Sequence, residues 1–263
     1  MEVIIQSDAS TISLYVARLI RDLVRRKPNA TLGLATGSTP LLLYRELIRL
    51  HREEKLDFGS VTTFNLDEYL GLASDHPASY NHFMRENLFK HINVAPANIH
   101  IPDGQIEGAE VLDYCRRYEE EIRDAGGIDL QILGIGSDGH IGFNEPTSAL
   151  TSRTRIKTLT ERTLQDNAPF FARPDEIPHH VITMGVGTIM EARHIVLLAF
   201  GERKARAVAE TIEGPISALF PSTILQMHPQ ATLLLDKAAA SKLQRRDYYR
   251  WVFDHKPEWQ QIS

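Results

Sequence analysis

Thr31-Leu-Gly-Leu-Ala-Thr-Gly-Ser-Thr-Pro40, continuing at once into Leu41-Leu-Leu-Tyr-Arg-Glu-Leu-Ile48, is the stretch on which the reading of this chain turns. Its first six residues form a short apolar run suited to a buried strand. In the second part Leu41, Leu42, Tyr44 and Ile48 recur at helical spacing. Between the two, Gly37 permits a tight turn, Thr39 can cap the helix, and Pro40 suits the first helical position, where no amide hydrogen is needed. A strand that passes straight into a helix is half of a β–α–β unit.

The same alternation extends outward in both directions. Further strands are expected at Val61–Leu66, Leu130–Ile135, Val181–Met184, His194–Phe200 and Ala231–Leu235. Helical period runs from Ser10 to Arg26, where Ile12, Val16, Leu19, Ile20, Leu23 and Val24 share a face, and again near Val111–Arg123 and Lys204–Ile212. Strands separated by helical crossovers predict an α/β fold with a mostly parallel central sheet and helices on both faces. No linker, repeat or low-complexity tract interrupts the pattern, so residues 1–263 read as a single domain.

Hydrophobic residues make up 43% of the 263 and charged residues 24%, a globular composition. The net charge of -5 carries no footprint for nucleic acid, so an anionic ligand must be met by a local site. The lone Cys115, beside Asp113, Arg116 and Arg117, cannot form an internal disulfide, which favours a reducing compartment. Met1–Ser10 carries acidic residues where a secretory signal would be basic and then apolar. No apolar run approaches the roughly 18 residues that span a bilayer, so a cytoplasmic protein without a membrane partner is expected.

In open sheets of this kind ligands sit beyond the carboxyl ends of the strands, so the residues just past each strand matter most. Thr36, Gly37, Ser38 and Thr39 come after the first, and a helix N-terminus with free amides and small hydroxyls is suited to an anion; a plain well-capped turn is the other reading. No Gly-Lys-Ser/Thr ends the loop, so it is not a Walker loop. Asp67 and Glu68 come after the second strand; such a pair is ordinarily solvated, and at most one of two adjacent carboxylates can face a shared pocket. After the third strand comes Gly134-Ile-Gly-Ser-Asp138-Gly-His140-Ile-Gly-Phe-Asn-Glu145-Pro146. Its Gly-x-Gly-x-x-Gly runs into Asn-Glu-Pro rather than a helix, and lacks the acidic residue about 20 positions on, so it is not a dinucleotide site. Asp138 and His140 are two metal ligands without a third, so no metal is expected. What remains is a glycine-freed loop presenting Asp138, His140 and Glu145, a histidine suited to proton transfer with carboxylates to orient it. Ser152–Lys157 alternates basic residues as a strand with one cationic face would, and Lys204 opens a helix from which it could reach the phosphate loop.

These blocks, with Gly185-Val-Gly187-Thr188, resemble the glucosamine-6-phosphate deaminase family over most of the chain. The resemblance implies a Rossmann-like three-layer sandwich and conversion of an amino sugar phosphate to fructose 6-phosphate and ammonia by isomerisation and hydrolytic deamination, with no cofactor. By that resemblance Asp67 moves a proton between C2 and C1, His140 opens the pyranose ring, and Asp138 and Glu145 orient it. The residues matching Ser38, Thr39 and Lys204 hold phosphate. The family's phosphate arginine, just before a Phe-Phe pair, is replaced here by Pro169, with Arg173 nearby as a candidate substitute. Some members are hexamers activated by N-acetylglucosamine 6-phosphate, and Ser148, Arg155, Lys157 and Thr158 match that site, so a homo-oligomer with an effector is one expectation.

Three other readings compete. A 6-phosphogluconolactonase shares the sheet and phosphate loop but needs no C2 base, which Asp67-Glu-Tyr argues against. A galactosamine-6-phosphate deaminase differs by one hydroxyl's orientation. A non-catalytic sugar-phosphate sensor would need a DNA-binding module that does not fit ahead of Thr31.

Overall fold

In the computed structural model, residues 1–171, 173 and 176–257 are described. The strands are β1 (Glu2–Gln6), β2 (Thr31–Leu34), β3 (Thr62–Asn65), β4 (Asp67–Tyr69), β5 (Ile99–His100), β6 (Leu130–Leu133), β7 (Arg155–Thr158), β8 (His180–Thr183), β9 (His194–Ala199) and β10 (Ala231–Asp236). The helices are α1 (Ala9–Arg26), α2 (Leu41–Glu54), α3 (Tyr80–Asn87), α4 (Glu110–Asp124), α5 (Glu161–Asn167), α6 (Val186–Met190), α7 (Ala205–Glu213) and α8 (Arg246–Asp254).

Seven strands form one sheet in the order β1-β10-β9-β6-β2-β3-β5, and every pairing in it is parallel. Successive side chains of a strand point to opposite faces. All four residues of β2 and of β6 are buried, as are the last five of β9, so both faces of the centre are covered. That is why these strands read as unbroken apolar runs. Ile12, Val16 and Ile20 on α1 and Leu43, Leu47 and Leu50 on α2 join the strand side chains in one core, each fully or almost fully buried. Each such side chain contributes about 1.5–3 kcal/mol by leaving water.

Several features depart from the sequence reading, β5 among the strands it did not expect. β1 was not anticipated: three apolar residues between Glu2 and Gln6 are too short a signal, yet the strand pairs along its length with β10. The run Val181–Met184 does not join the parallel sheet. β8 lies in a separate three-stranded antiparallel sheet, β4-β8-β7, with Asp67 opposite Thr183 and Tyr69 opposite Val181. Leu66, where Met184 N donates to its carbonyl at 2.7 Å, is the point at which the chain leaves β3 and peels off into this sheet. A four-residue apolar run carries no information about its partner. Finally, Thr39 does not cap α2; Pro40 occupies the residue before the helix, and no side chain caps it.

From β2 the chain moves outward to β3 and β5, and β6 is placed on the other side of β2, leading to β9 and β10. The strand order therefore reverses between β2 and β6, and a crevice opens above their carboxyl ends.

Candidate active site

That crevice is a cleft of about 450 Å³. Residues 35–39 after β2, Leu66 and Asp67 after β3, Gly134 to Ser137 after β6, and Arg203 and Lys204 after β9 line it. Tyr80, His140, Gly142, Phe143, Thr163 and Asn167 complete the wall. Strand tips scattered over 170 residues of sequence thus share one space.

On the β2 side, Gly37 adopts φ +89, a turn that a side chain would strain. Tyr44 on α2 donates its hydroxyl to the Ala35 carbonyl and pins the loop to the helix below it. With no side-chain cap on α2, the first amides of the helix remain available for an anion beside Ser38 and Thr39, and Lys204 adds a positive charge to the same cleft.

Asp67 and Glu68 divide as strand geometry requires, but neither is solvated: both are buried. Asp67 faces the cleft, next to Gly142, where an added Cβ would meet its Oδ2 at 3.5 Å. Burial, with some help from the charge of Glu68, raises the Asp67 carboxyl to about 8. Glu68 turns away and accepts the amides of Tyr69 at 2.8 Å, Tyr80 at 2.9 Å and Asn81 at 2.8 Å. Burial raises it to about 7 against the pull of those three donors. It thereby holds the start of α3 and sets Tyr80 in the cleft wall, where the ring stacks on Phe143 at 6.1 Å between centroids.

In the loop after β6, His140 folds back over Gly136, whose amide donates to the His140 carbonyl at 2.9 Å. A Cβ on residue 136 would fall 2.3 Å from the imidazole, so only glycine leaves room for the ring. Asp138 Oδ1 lies 2.8 Å from His140 Nδ1, leaving the other ring nitrogen for the cleft. Burial raises the Asp138 carboxyl, but the His140 imidazole and backbone donors outweigh it and hold it near 2. It is therefore charged at any working pH.

Glu145 is the sequence-derived candidate that the structure does not bring to the imidazole. Its carboxylate accepts the Thr160 hydroxyl at 2.7 Å and that of Thr163, so its partners lie on α5 rather than at His140. The basic strand is also turned the other way from expectation. In β7, Arg155 and Lys157 are half-buried, and Ile156 and Thr158 face solvent. Arg155 donates to Asn144 Oδ1 at 2.8 Å, inside the loop between His140 and Glu145. Asn144 itself is fully buried and donates to the Ile141 and Met184 carbonyls. Ser148 is buried, and among the described residues its hydroxyl has no hydrogen-bond partner. Arg173 is exposed and pairs with Glu176 at 3.0 Å; it is not among the described residues that line the cleft.

Phe143, inside the Gly134–Pro146 stretch, also lines the cleft, as do Tyr80, Thr163, Asn167 and Arg203, which the sequence reading did not single out. Only Thr163 and Asn167 leave a trace there, as small polar residues four apart on one helix face.

A family model described as glucosamine-6-phosphate isomerases/6-phosphogluconolactonase matches residues 6–234. A glucosamine-6-phosphate deaminase of Arthrobacter sp. (strain FB24) is 53% identical over 260 residues, covering 99% of both chains. One from Hahella chejuensis (strain KCTC 2396) is 54% identical over 252 residues, 96% of this chain and 95% of that protein. The solved structure of a monomeric glucosamine-6-phosphate deaminase superposes with a TM-score of 0.89 at 46% identity, covering 92% of this chain and 99% of the other. A 6-phosphogluconolactonase from Trypanosoma cruzi shares the fold at a TM-score of 0.72 and 22% identity, over 92% and 97% of the two chains. The chain belongs to the glucosamine-6-phosphate isomerase/6-phosphogluconolactonase family.

Proposed function

We propose that this chain converts glucosamine 6-phosphate and water to fructose 6-phosphate and ammonia. The observation that carries the reading is one cleft lined by a buried carboxylate, Asp67, by a carboxylate-held imidazole, His140, and by an anion-ready turn, residues 36–39, with Lys204.

In this reading the phosphate rests on the Ser38 and Thr39 region and Lys204, and the sugar extends across the cleft. His140, with Nδ1 engaged by Asp138, passes a proton between the ring oxygen and the C1 hydroxyl and opens the pyranose. Asp67 then takes the proton from C2 of the aldehyde and returns it to C1. C1 falls from aldehyde to alcohol level while C2 rises from amine to imine level; a second proton is lost from the nitrogen as one is gained at O1, so protons and electrons balance within the sugar. Water adds at C2, and ammonia leaves. Each positioned acid or base of this kind is worth about 10²–10⁴ in rate.

Ammonia release should be measured with glucosamine 6-phosphate, its galacto isomer and its acetylated form, for the native chain and Asp67→Asn. Release from the first substrate, lost in the variant, supports the reading. No release from it, or full activity in the variant, removes it.

An effector site at Ser148, Arg155, Lys157 and Thr158 is a further part of the proposal. The buried hydroxyl of Ser148, without a hydrogen-bond partner among the described residues, favours it. The bond from Arg155 to Asn144 means an effector there would have to draw the guanidinium off the catalytic loop. A rate curve that does not change when the acetylated sugar phosphate is added eliminates this site.

A further inference from the structure

We propose that Arg162 closes the phosphate end of the cleft, donating to the substrate's phosphate from above while residues 38, 39 and 204 hold it from below. The proposal rests on the sugar-phosphate reading just given.

α5 is a wall of the cleft, because Thr163 and Asn167, one turn apart, both line it. Arg162 is on the same helix, and its Nη2 donates to Ser137 Oγ at 2.9 Å. Ser137 is itself a lining residue, so the guanidinium stands at the rim. The strip that ends in Ser137 adjoins the phosphate turn: a Cβ on Gly134 would come within 3.8 Å of Thr39 Oγ1. Arg162 is thus held at one end of a strip, Gly134–Ser137, whose other end adjoins Thr39.

Its present partner is a neutral hydroxyl, and among the described residues no carboxylate pairs with it. One of five N–H donors is used, and a planar fork of the remaining ones matches two phosphate oxygens. A lysine in the same position would offer charge without the fork. Pro169, in the turn after α5, has no charged or donating group to bring. Arg173 already pairs with Glu176 and lies outside the described lining. Arg162 is the cation on this helix that the geometry sets at the cleft.

Arg162→Gln keeps a neutral donor for Ser137 and removes the charge; Arg162→Lys keeps the charge and removes the fork. Two readouts apply: KM with kcat for glucosamine 6-phosphate, and the rise in Tm on adding inorganic phosphate, which needs no turnover. Arg162→Gln should raise KM roughly tenfold and leave kcat much closer to the native value, since a charged hydrogen bond to phosphate contributes at that level. It should also lose most of the phosphate-induced rise in Tm, with Arg162→Lys in between. Unchanged KM and an unchanged phosphate response in Arg162→Gln overturn the proposal, because a purely structural bond to Ser137 survives that change. A native protein that inorganic phosphate does not stabilise overturns it too. A native protein that is stabilised but releases no ammonia counts against the deaminase reading instead.

Discussion

Asp138 Oδ1 lies 2.8 Å from His140 Nδ1 and accepts the His140 backbone amide at 3.3 Å, so a single carboxylate restrains both the ring and the backbone of one residue. The ring is aimed by its neighbour two positions back, and its other nitrogen is left to the cleft. Asp138→Asn should keep much of this geometry but remove the charge that stabilises an imidazolium, lowering kcat by about 10²-fold. An unaltered kcat would show that the charge is not used. The folded Asp138 carboxyl, at about 2, lies below its unfolded value near 4. Its contribution to stability is therefore complete above about pH 4 and vanishes as pH falls toward 2. Between those limits the native protein should lose Tm faster than the Asn variant.

Asp67 has the opposite sign. Its folded carboxyl titrates near 8, above an unfolded value near 4. Native stability is fully present below pH 4 and declines as pH rises toward 8, because the unfolded chain ionises first. Asp67→Asn should accordingly raise stability at pH 8 by about 2–5 kcal/mol relative to the native chain, while activity falls about 10²–10⁴-fold. Chemical denaturation at pH 4 and 8 checks the first part, since the gain should be confined to the higher pH. In the base role proposed above Asp67 must be ionised, so kcat/KM should climb with pH through an acid limb near 8. A limb nearer 4 would mean that the free protein does not hold Asp67 neutral.

Glu145 predicts a local effect. It accepts from Thr160, the residue that caps α5, and from Thr163 in its first turn. Glu145→Ala leaves both hydroxyls without their charged partner and should cost about 1–3 kcal/mol. Amide exchange across residues 160–167 should speed up well before the parallel sheet opens. Equal exchange in both proteins would refute the anchoring role.

Arg155→Ala removes the donor to Asn144 Oδ1, a buried atom in the loop between His140 and Glu145. The expected cost is about 1–3 kcal/mol in stability, with kcat reduced more than KM is raised, because the loop presents His140 rather than the phosphate turn. A change confined to KM would place Arg155 in substrate binding instead.

Much of this architecture was readable because the central strands are buried on both faces, which leaves apolar runs that no charge interrupts. The strand tips were readable for the same reason: Gly37 and Asp67 stand just past such runs, and the loop that carries His140 opens at the end of another. What escaped depended on contacts distant in sequence. β8 looks like any buried strand, and only the bend at Leu66 assigns it to the smaller sheet. Glu145 sits among the chemistry-bearing residues by position, yet Thr160 and Thr163, 15 and 18 residues on, claim its carboxylate. Arg155 and Lys157 alternate as a surface strand would, but β7 turns them inward and leaves Ile156 outside. Tyr80 carries no motif at all; it reaches the cleft because Glu68 holds the start of its helix.

β6, β2 and β3 are consecutive neighbours in the sheet, and they carry in turn the imidazole loop, the anion turn and Asp67. Adjacent strands stand about 4.8 Å apart whatever their side chains. The sheet therefore acts as a ruler, spacing Asp67 and His140 from the turn at residues 36–39 by backbone pitch. Tolerance should run sideways rather than lengthwise: epimers that differ in one hydroxyl can be admitted by exchanging a single wall residue, whereas sugars one carbon longer or shorter should be refused by every such exchange.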